Sequence, residues 1–283
     1  MRLKDKVIII TGATSGIGKA IAVRAVAEGA KVVIHGIDQV AGQKVVDHLG
    51  KNAVLCIADL AKADSPAEIV DCAIKSFGQI DGLVNNAAII ERNNLSQITP
   101  EAFAKTITVN LQSALFLIQA CYEHLKKSKG AVLNIGSINA YSGESSLLAY
   151  SIGKAGLQTM SRNLANAHGV DQVRFNLINP GWILTEREYV DQIKKGLPEK
   201  WPEKLGKENI PFGVMSTPEQ LARVTCPVLV AIGDQDFAGP GDGLVTLLPN
   251  ARLVVLKKCD HFATTENFDF FDAALGFLEA APS

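Results

Sequence analysis

The chain has 283 residues, of which 47% are hydrophobic and 20% charged, with 28 Lys and Arg against 29 Asp and Glu. That is enough apolar material for one large α/β domain, or one domain with a small addition. A net charge of -1 gives no electrostatic reason to expect nucleic acid or an anionic membrane as partner. The five cysteines (Cys56, Cys72, Cys121, Cys226 and Cys259) are odd in number, scattered and without a C-x-x-C pair. They read as small core residues in a reducing compartment. With no leader-like start and no apolar run of membrane-spanning length, the expectation is a cytoplasmic protein without a metal site.

Residues 6–11 are a continuous apolar run, as expected of a parallel strand buried on both faces. They lead into Gly12, Gly16 and Gly18 in the pattern G-x-x-x-G-x-G, then a helix over 19–28 stopped by Gly29. Strand, glycine turn and helix start make a phosphate cradle, because glycine lets the backbone approach and the helix start offers free N–H groups. Strands are then expected at 31–35, 53–57 and 81–84, alternating with helices at 40–49 and 66–77. The third strand ends in Ala58, Asp59 and Leu60, the fourth in Asn85, Asn86, Ala87 and Ala88. Pro100 opens a helical region to about 127 that includes Asn110 and has room for a bend. A fifth strand at 131–135 runs into Gly136 and Ser137, and a sixth at 173–178 into Asn179, Pro180 and Gly181. This rhythm implies an α/β, doubly wound, parallel Rossmann-like sheet with ligands at the carboxyl ends of its strands.

Between the fifth and sixth strands lies a helix carrying Tyr150 and Lys154. Residues at i and i+4 share a helix face. A cation held there favours the phenolate and lowers a phenol's pKa from about 10 toward neutrality. Such a tyrosine can exchange a proton with a substrate oxygen, which Ser137 could also hydrogen-bond. The plain alternative is an ordinary surface pair on an amphipathic helix.

Taken together, the glycine turn with Thr11, Asp59-Leu60, Asn85–Ala88, Asn110, Ser137, Tyr150-x-x-x-Lys154 and Asn179-Pro-Gly181 resemble the short-chain dehydrogenase/reductase family over residues 1 to about 222. The resemblance implies NAD(P)-dependent interconversion of a small-molecule alcohol and a ketone or aldehyde. Tyr150 would be the acid/base, Ser137 would orient the substrate oxygen, and Lys154 would lower the tyrosine pKa and bind ribose. Asn110 would hold a water in a proton relay. Gly12, Gly16, Ile17 and Gly18 would line the pyrophosphate, and Asp59 and Leu60 the adenine. Asn86 and Ala88 would lie near the nicotinamide-side ribose, with Ile183 and Thr185 at the carboxamide. Ser15, Gly36, Asp38, Pro180 and Gly181 complete the expected cofactor-binding set. Gly36 is not acidic and neither Ser15 nor Ile37 is basic, so NAD is favoured over NADP only by the lack of a cation for an extra phosphate. Asp38 reads either as a ribose contact or as the N-cap of the helix from 40. The stretch from Trp182 to about 215 would be a substrate-covering loop, with Trp182, Trp201 and Phe212 as candidate contacts. Helices around 110–126 and 150–166 would pair two subunits.

Beyond 222 the pattern changes. A strand near 225–233 precedes Asp236, a strand at 251–256 precedes His261, and an amphipathic helix is expected at 268–278. This resembles the C-terminal part of an α/β-hydrolase, but no G-x-S-x-G elbow supplies a nucleophile. The expectation is a junction near 217–226, engineered or natural, between a dinucleotide-binding part (1–222) and a hydrolase-like extension (223–283) of the same sheet. The strand order would be 3-2-1-4-5-6-7-8, placing His261 too far from Ser137 to share its chemistry. Two further readings follow: a catalytically silent dinucleotide scaffold, and a hydrolase resting on Asp236 and His261.

Overall fold

A computed structural model describes residues 1–142, 144–210, 214–222, 228–233 and 251–256. Residues Met1–Arg223 and Val224–Ser283 form two compact units.

The first unit is built on six parallel strands in the order β3-β2-β1-β4-β5-β6. They are β1 (Val7–Ile10), β2 (Lys31–Gly36), β3 (Ala53–Ile57), β4 (Gly82–Asn85), β5 (Ala131–Ile135) and β6 (Arg174–Ile178). Successive side chains alternate between faces. Ile9 and Val33 enter one core with Ile69, Leu83, Leu117 and Val132, while Ile10, Val32 and Ile34 enter the other with Val45, Val84 and Ile135. Two apolar layers explain why the central strands read as unbroken hydrophobic runs.

The connecting helices follow their local signals. Helix α1 (Gly16–Ala27) starts inside the glycine pattern, three residues before the expected position. In α2 (Gln39–Leu49) the Asp38 carboxylate caps the first turn, accepting from the Ala41 amide at 2.9 Å. Helix α3 (Ser65–Phe77) has Pro66 in its first turn and ends on Gly78 at φ 78°, a left-handed cap that suits glycine. Thr99 caps α4 (Pro100–Ile107) by accepting from Ala102. The bend is a π-helical turn, Thr108–Gln112, before α5 (Ser113–Ser128), and Asn110 lies inside it. Helix α6 (Leu148–His168) carries Tyr150 and Lys154 in its first two turns.

The stretch expected as a covering loop contains two helices, α7 (Glu186–Lys194) and α8 (Trp201–Asn209). Thr185 caps α7 through the Glu188 amide, and Trp201 at the start of α8 is 1% exposed. Its ring packs 5.7 Å from Trp182 and 6.3 Å from Tyr189, so Trp201 is a core anchor of this segment. A short helix α9 (Pro218–Ala222) follows.

In the second unit, β7 (Val228–Gly233) and β8 (Ala251–Leu256) pair in parallel, Val228 opposite Ala251 through Gly233 opposite Leu256. They form a two-stranded sheet of their own, so the expected single eight-stranded sheet is two sheets of six and two. A strand–connection–strand unit satisfies its own parallel ladder, and its sequence rhythm does not say whether it lengthens an existing sheet. Phe212, Asp236, His261, Cys226, Cys259 and the helix expected at 268–278 lie outside the described residues. No helix among the described residues is long and apolar enough to cross a membrane.

Candidate active site

At the carboxyl end of β1 the chain turns through Gly12 at φ 62° and Gly16 at φ 54°, values that favour glycine. Space is as restrictive as conformation. A Cβ on Gly18 would lie 2.4 Å from the Gly12 carbonyl oxygen, and one on Gly12 would lie 2.9 Å from Ala87 Cα. Ser15, extended at φ -157°, precedes α1 without a side-chain cap, so its side chain leaves the first-turn N–H groups free. Ile17 lies half-buried in that turn. A bare cradle with open donors fits the pyrophosphate of a dinucleotide.

Asn86 and Thr11 hold this turn. The Asn86 amide donates to the carbonyl oxygens of Thr11 at 2.9 Å and Gly12 at 3.1 Å. Thr11 Oγ1 accepts from the Asn86 and Ala87 amides, both at 3.0 Å. Asn86 is thus engaged by the glycine turn, and Ala88 follows it half-buried.

The turn's other flank is the end of β2. Thr14 packs over Gly36, where a Cβ would lie 2.5 Å from Thr14 Cγ2, so the missing acidic side chain has no room there. The carboxylate of Asp38 accepts from the Ala41 amide at 2.9 Å as the N-cap of α2. Asp59 accepts from the Ala61 amide at 3.0 Å within its own turn, and Leu60 is buried behind it. An open cleft of about 430 Å³ at this edge is lined by Ile37, Ile57, Ala58, Asp59, Lys62 and Glu68. Lys62 is a cation at this end that the sequence reading did not single out.

A second cluster lies off β5. Tyr150 is 9% exposed, Lys154 2% and Ser137 8%, so the pair is not an ordinary surface pair. Lys154 Nζ donates to the Ile135 carbonyl oxygen at 2.5 Å and sits 5.7 Å from the Tyr150 ring centroid. Burial pushes the Lys154 ammonium down to about 8. Burial also raises the Tyr150 phenol above its ordinary value, and the Ser137 hydroxyl beside it pulls the other way. The expected lowering by Lys154 is therefore corrected: in the protein alone, desolvation of the phenolate dominates.

Asn179 fixes Ser137. Its Oδ1 accepts from the Ser137 amide at 3.0 Å, and its Nδ2 donates to Gln158 at 3.1 Å and to the Tyr141 hydroxyl at 3.3 Å. Gly136 leaves room for it, since a Cβ there would lie 2.1 Å from Asn179 Oδ1 and displace that side chain. The Ile138 amide donates to the Pro180 carbonyl at 3.1 Å, tying the two strand ends together, and Gly181 next to it faces open space. Beneath the cluster a buried polar chain runs from Asn85 to Asn134 at 2.9 Å and on to Ser161 at 2.8 Å, bracing α6 against β4 and β5.

Asn110 braces the neighbouring loop. Its amide donates to the Ile89 carbonyl at 2.9 Å and its oxygen accepts from the Ile89 amide at 2.8 Å. Thr185 reaches across to the first cluster, its Cγ2 lying 3.5 Å from a Cβ placed on Gly16, while Ile183 pairs with Ser216. The residues expected to act together thus fall into two adjoining sets at one edge of the sheet. Thr11 and Asn179, which the sequence offered only as motif members without a role, are positioning residues, and His35 is one that sequence reasoning missed.

A sequence model of the short chain dehydrogenases matches residues 6–194. The L-rhamnose-1-dehydrogenase of Scheffersomyces stipitis is 34% identical, the match covering 78% of this chain and 87% of that protein. The L-rhamnose 1-dehydrogenase (NAD(P)(+)) of Azotobacter vinelandii is 33% identical over 78% and 88%. A crystal structure of the 3-ketoacyl-(acyl-carrier-protein) reductase from Brucella melitensis, complexed with NADH, superposes with a TM-score of 0.70 at 28% identity, over 78% of this chain and 88% of that one. Sheet order, glycine turn and buried tyrosine–lysine pair define an enzyme of the Rossmann-type oxidoreductase class. Within that class, the chain belongs to the short chain dehydrogenase family.

Proposed function

We propose that this protein is an NAD(P)-dependent oxidoreductase that interconverts a small-molecule alcohol and its ketone or aldehyde. The observation that carries the reading is the convergence of Tyr150, Ser137 and Lys154 off β5 beside a glycine turn shaped for a pyrophosphate. Gly12, Gly16, Ile17 and Gly18 would hold the pyrophosphate, Asp59 and Leu60 the adenine, and Ile183 and Thr185 the carboxamide. The bound nicotinamide would supply hydride chemistry. Ser137 Oγ orients the substrate oxygen, held in place by Asn179 through the Ser137 amide. Tyr150, buried and protonated at neutral pH, gives its proton to that oxygen in reduction and takes one back in oxidation. Lys154 carries a buried positive charge to the ribose side, and Asn110 closes the proton path to water.

The test is NADH and NADPH binding followed by fluorescence, then turnover followed at 340 nm with aldoses such as L-rhamnose and D-galactose and with simple ketones. The sugars come first because the similar dehydrogenases are named for rhamnose and galactose. Dinucleotide binding with turnover abolished in Tyr150→Phe supports the reading; no binding by either dinucleotide refutes it.

We also propose a homodimer through α5 and α6, supported by Leu115, Phe116 and Ile152 standing 40–44% exposed on those helices. Light scattering that gives a monomer mass rejects it.

A further inference from the structure

His35 stands at the carboxyl end of β2 and is 1% exposed, yet no step above uses it. Its two ring nitrogens face opposite demands. Nδ1 accepts from the Gly12 amide at 3.4 Å, and Nε2 faces the Ala58 carbonyl oxygen at 3.0 Å. A carbonyl only accepts and an amide N–H only donates, so the ring must carry its proton on Nε2 and keep Nδ1 bare. Only the neutral imidazole satisfies both. The backbone of the same residue joins in, its carbonyl oxygen accepting from the Ala13 amide at 2.8 Å. One side chain therefore touches the first glycine of the phosphate turn on one side and the residue before Asp59 on the other.

We propose that His35 is a positioning residue for dinucleotide binding, its neutral imidazole setting the glycine turn and the Asp59 turn relative to each other. The proposal rests on the reading that these turns hold a dinucleotide. Gly12 at φ 62° aims its amide back at the ring, which adds an anchor on the β2 side to those that Asn86 and Thr11 give the turn at the ends of β4 and β1. Protonation places a second N–H against the Gly12 N–H, two donors facing one another, and the anchor is lost. Burial holds the imidazole down to about 4, and the Asp59 carboxylate is the charge acting against that shift. The site is therefore set throughout the physiological range and fails only in acid.

The test measures NAD+ and NADP+ affinity by calorimetry from pH 3.5 to 8 in the wild type, His35→Phe and His35→Gln, with an unfolding midpoint for each. Expected are roughly tenfold weaker binding in His35→Phe, partial recovery in His35→Gln, and a wild-type affinity that falls as pH drops through about 4 while the Phe variant shows no such step. A purely structural role would lower the midpoint without altering the pH profile of affinity. If His35→Phe does not fold, the wild type and His35→Gln still decide: identical affinities and profiles in the two overturn the proposal. Wild-type protein that binds neither dinucleotide overturns the reading on which the proposal rests. Tight wild-type binding with the same affinity and profile in a folded His35→Phe overturns the role of His35 alone.

Discussion

Lys154 gives its ammonium to the carbonyl oxygen of Ile135 at 2.5 Å, while its charge lies 5.7 Å from the centre of the Tyr150 ring. The lysine is thus fastened to the end of β5, the strand that leads into Ser137. Helix α6 and the Ser137 turn share one buried cation.

Burying that cation is unfavourable. Its pKa falls from 10.5 to about 8, a difference of about 3 kcal/mol against the folded state at neutral pH. The unfolded chain holds the proton more tightly, so this penalty fades as pH rises through the window between the two values. Lys154→Met removes the penalty but strands the Ile135 carbonyl, worth about 1–3 kcal/mol. We expect calorimetry to show a stability within about 2 kcal/mol of wild type, with turnover lost.

The Tyr150 phenol is raised by its burial, so it is protonated at neutral pH. Carbonyl reduction, which consumes that proton, should hold its kcat through neutral pH and fall in the alkaline range. Alcohol oxidation, which needs the phenolate, should rise with pH over the same range. Opposite slopes in the two directions, measured with saturating dinucleotide, check the assignment.

Asn179 should matter to rate more than to binding. Asn179→Ala frees the Ser137 amide and Gln158, and we expect kcat to fall about 10- to 100-fold, roughly 1.5–3 kcal/mol of positioning. Dinucleotide affinity should change little. Steady-state kinetics with both substrates varied separates the two effects.

Acid should weaken the fold through His35. Its folded pKa of about 4 lies below the ordinary 6.5, so the unfolded chain binds more protons between those values. Stability contributed by the neutral ring is complete above about 6.5 and is lost as pH falls toward 4, by about 3 kcal/mol. Denaturant unfolding of the wild type against His35→Phe should show that acid slope only in the wild type.

Two cysteines should differ in reactivity. Cys72 is half-buried and the neighbouring Cys56 draws its thiol down, while Cys121 is fully buried and burial pushes its thiol up to about 12. Iodoacetamide at pH 7 should label Cys72 well before Cys121, as peptide mass spectrometry would show.

Much of this was legible in the chain. The unbroken run ending at Thr11, the three glycines and the Tyr150–Lys154 spacing announced a doubly wound sheet with a dinucleotide-type turn, because periodicity and glycine carry strong local signals. Asp38 could be read two ways, and its cap with Ala41 shows the structural one at work. His35 was not legible and Asn179 was legible only as part of a motif, since their roles arise from contacts across strands that no local pattern encodes. The phenol's upward shift was missed for a related reason. Spacing on a helix reveals a neighbour's charge, but only the packed structure reveals how much water has been removed. The rhythm beyond 222 carries two strands, which pair with each other, and holds no signal for what else they join.

The most direct measurement compares wild type and Tyr150→Phe for dinucleotide binding and for turnover of the same carbonyl substrate. The account predicts equal NADH or NADPH affinity, within about threefold, and a loss of kcat of at least about 10³-fold. A Tyr150→Phe protein that turns over at a rate near wild type would contradict it.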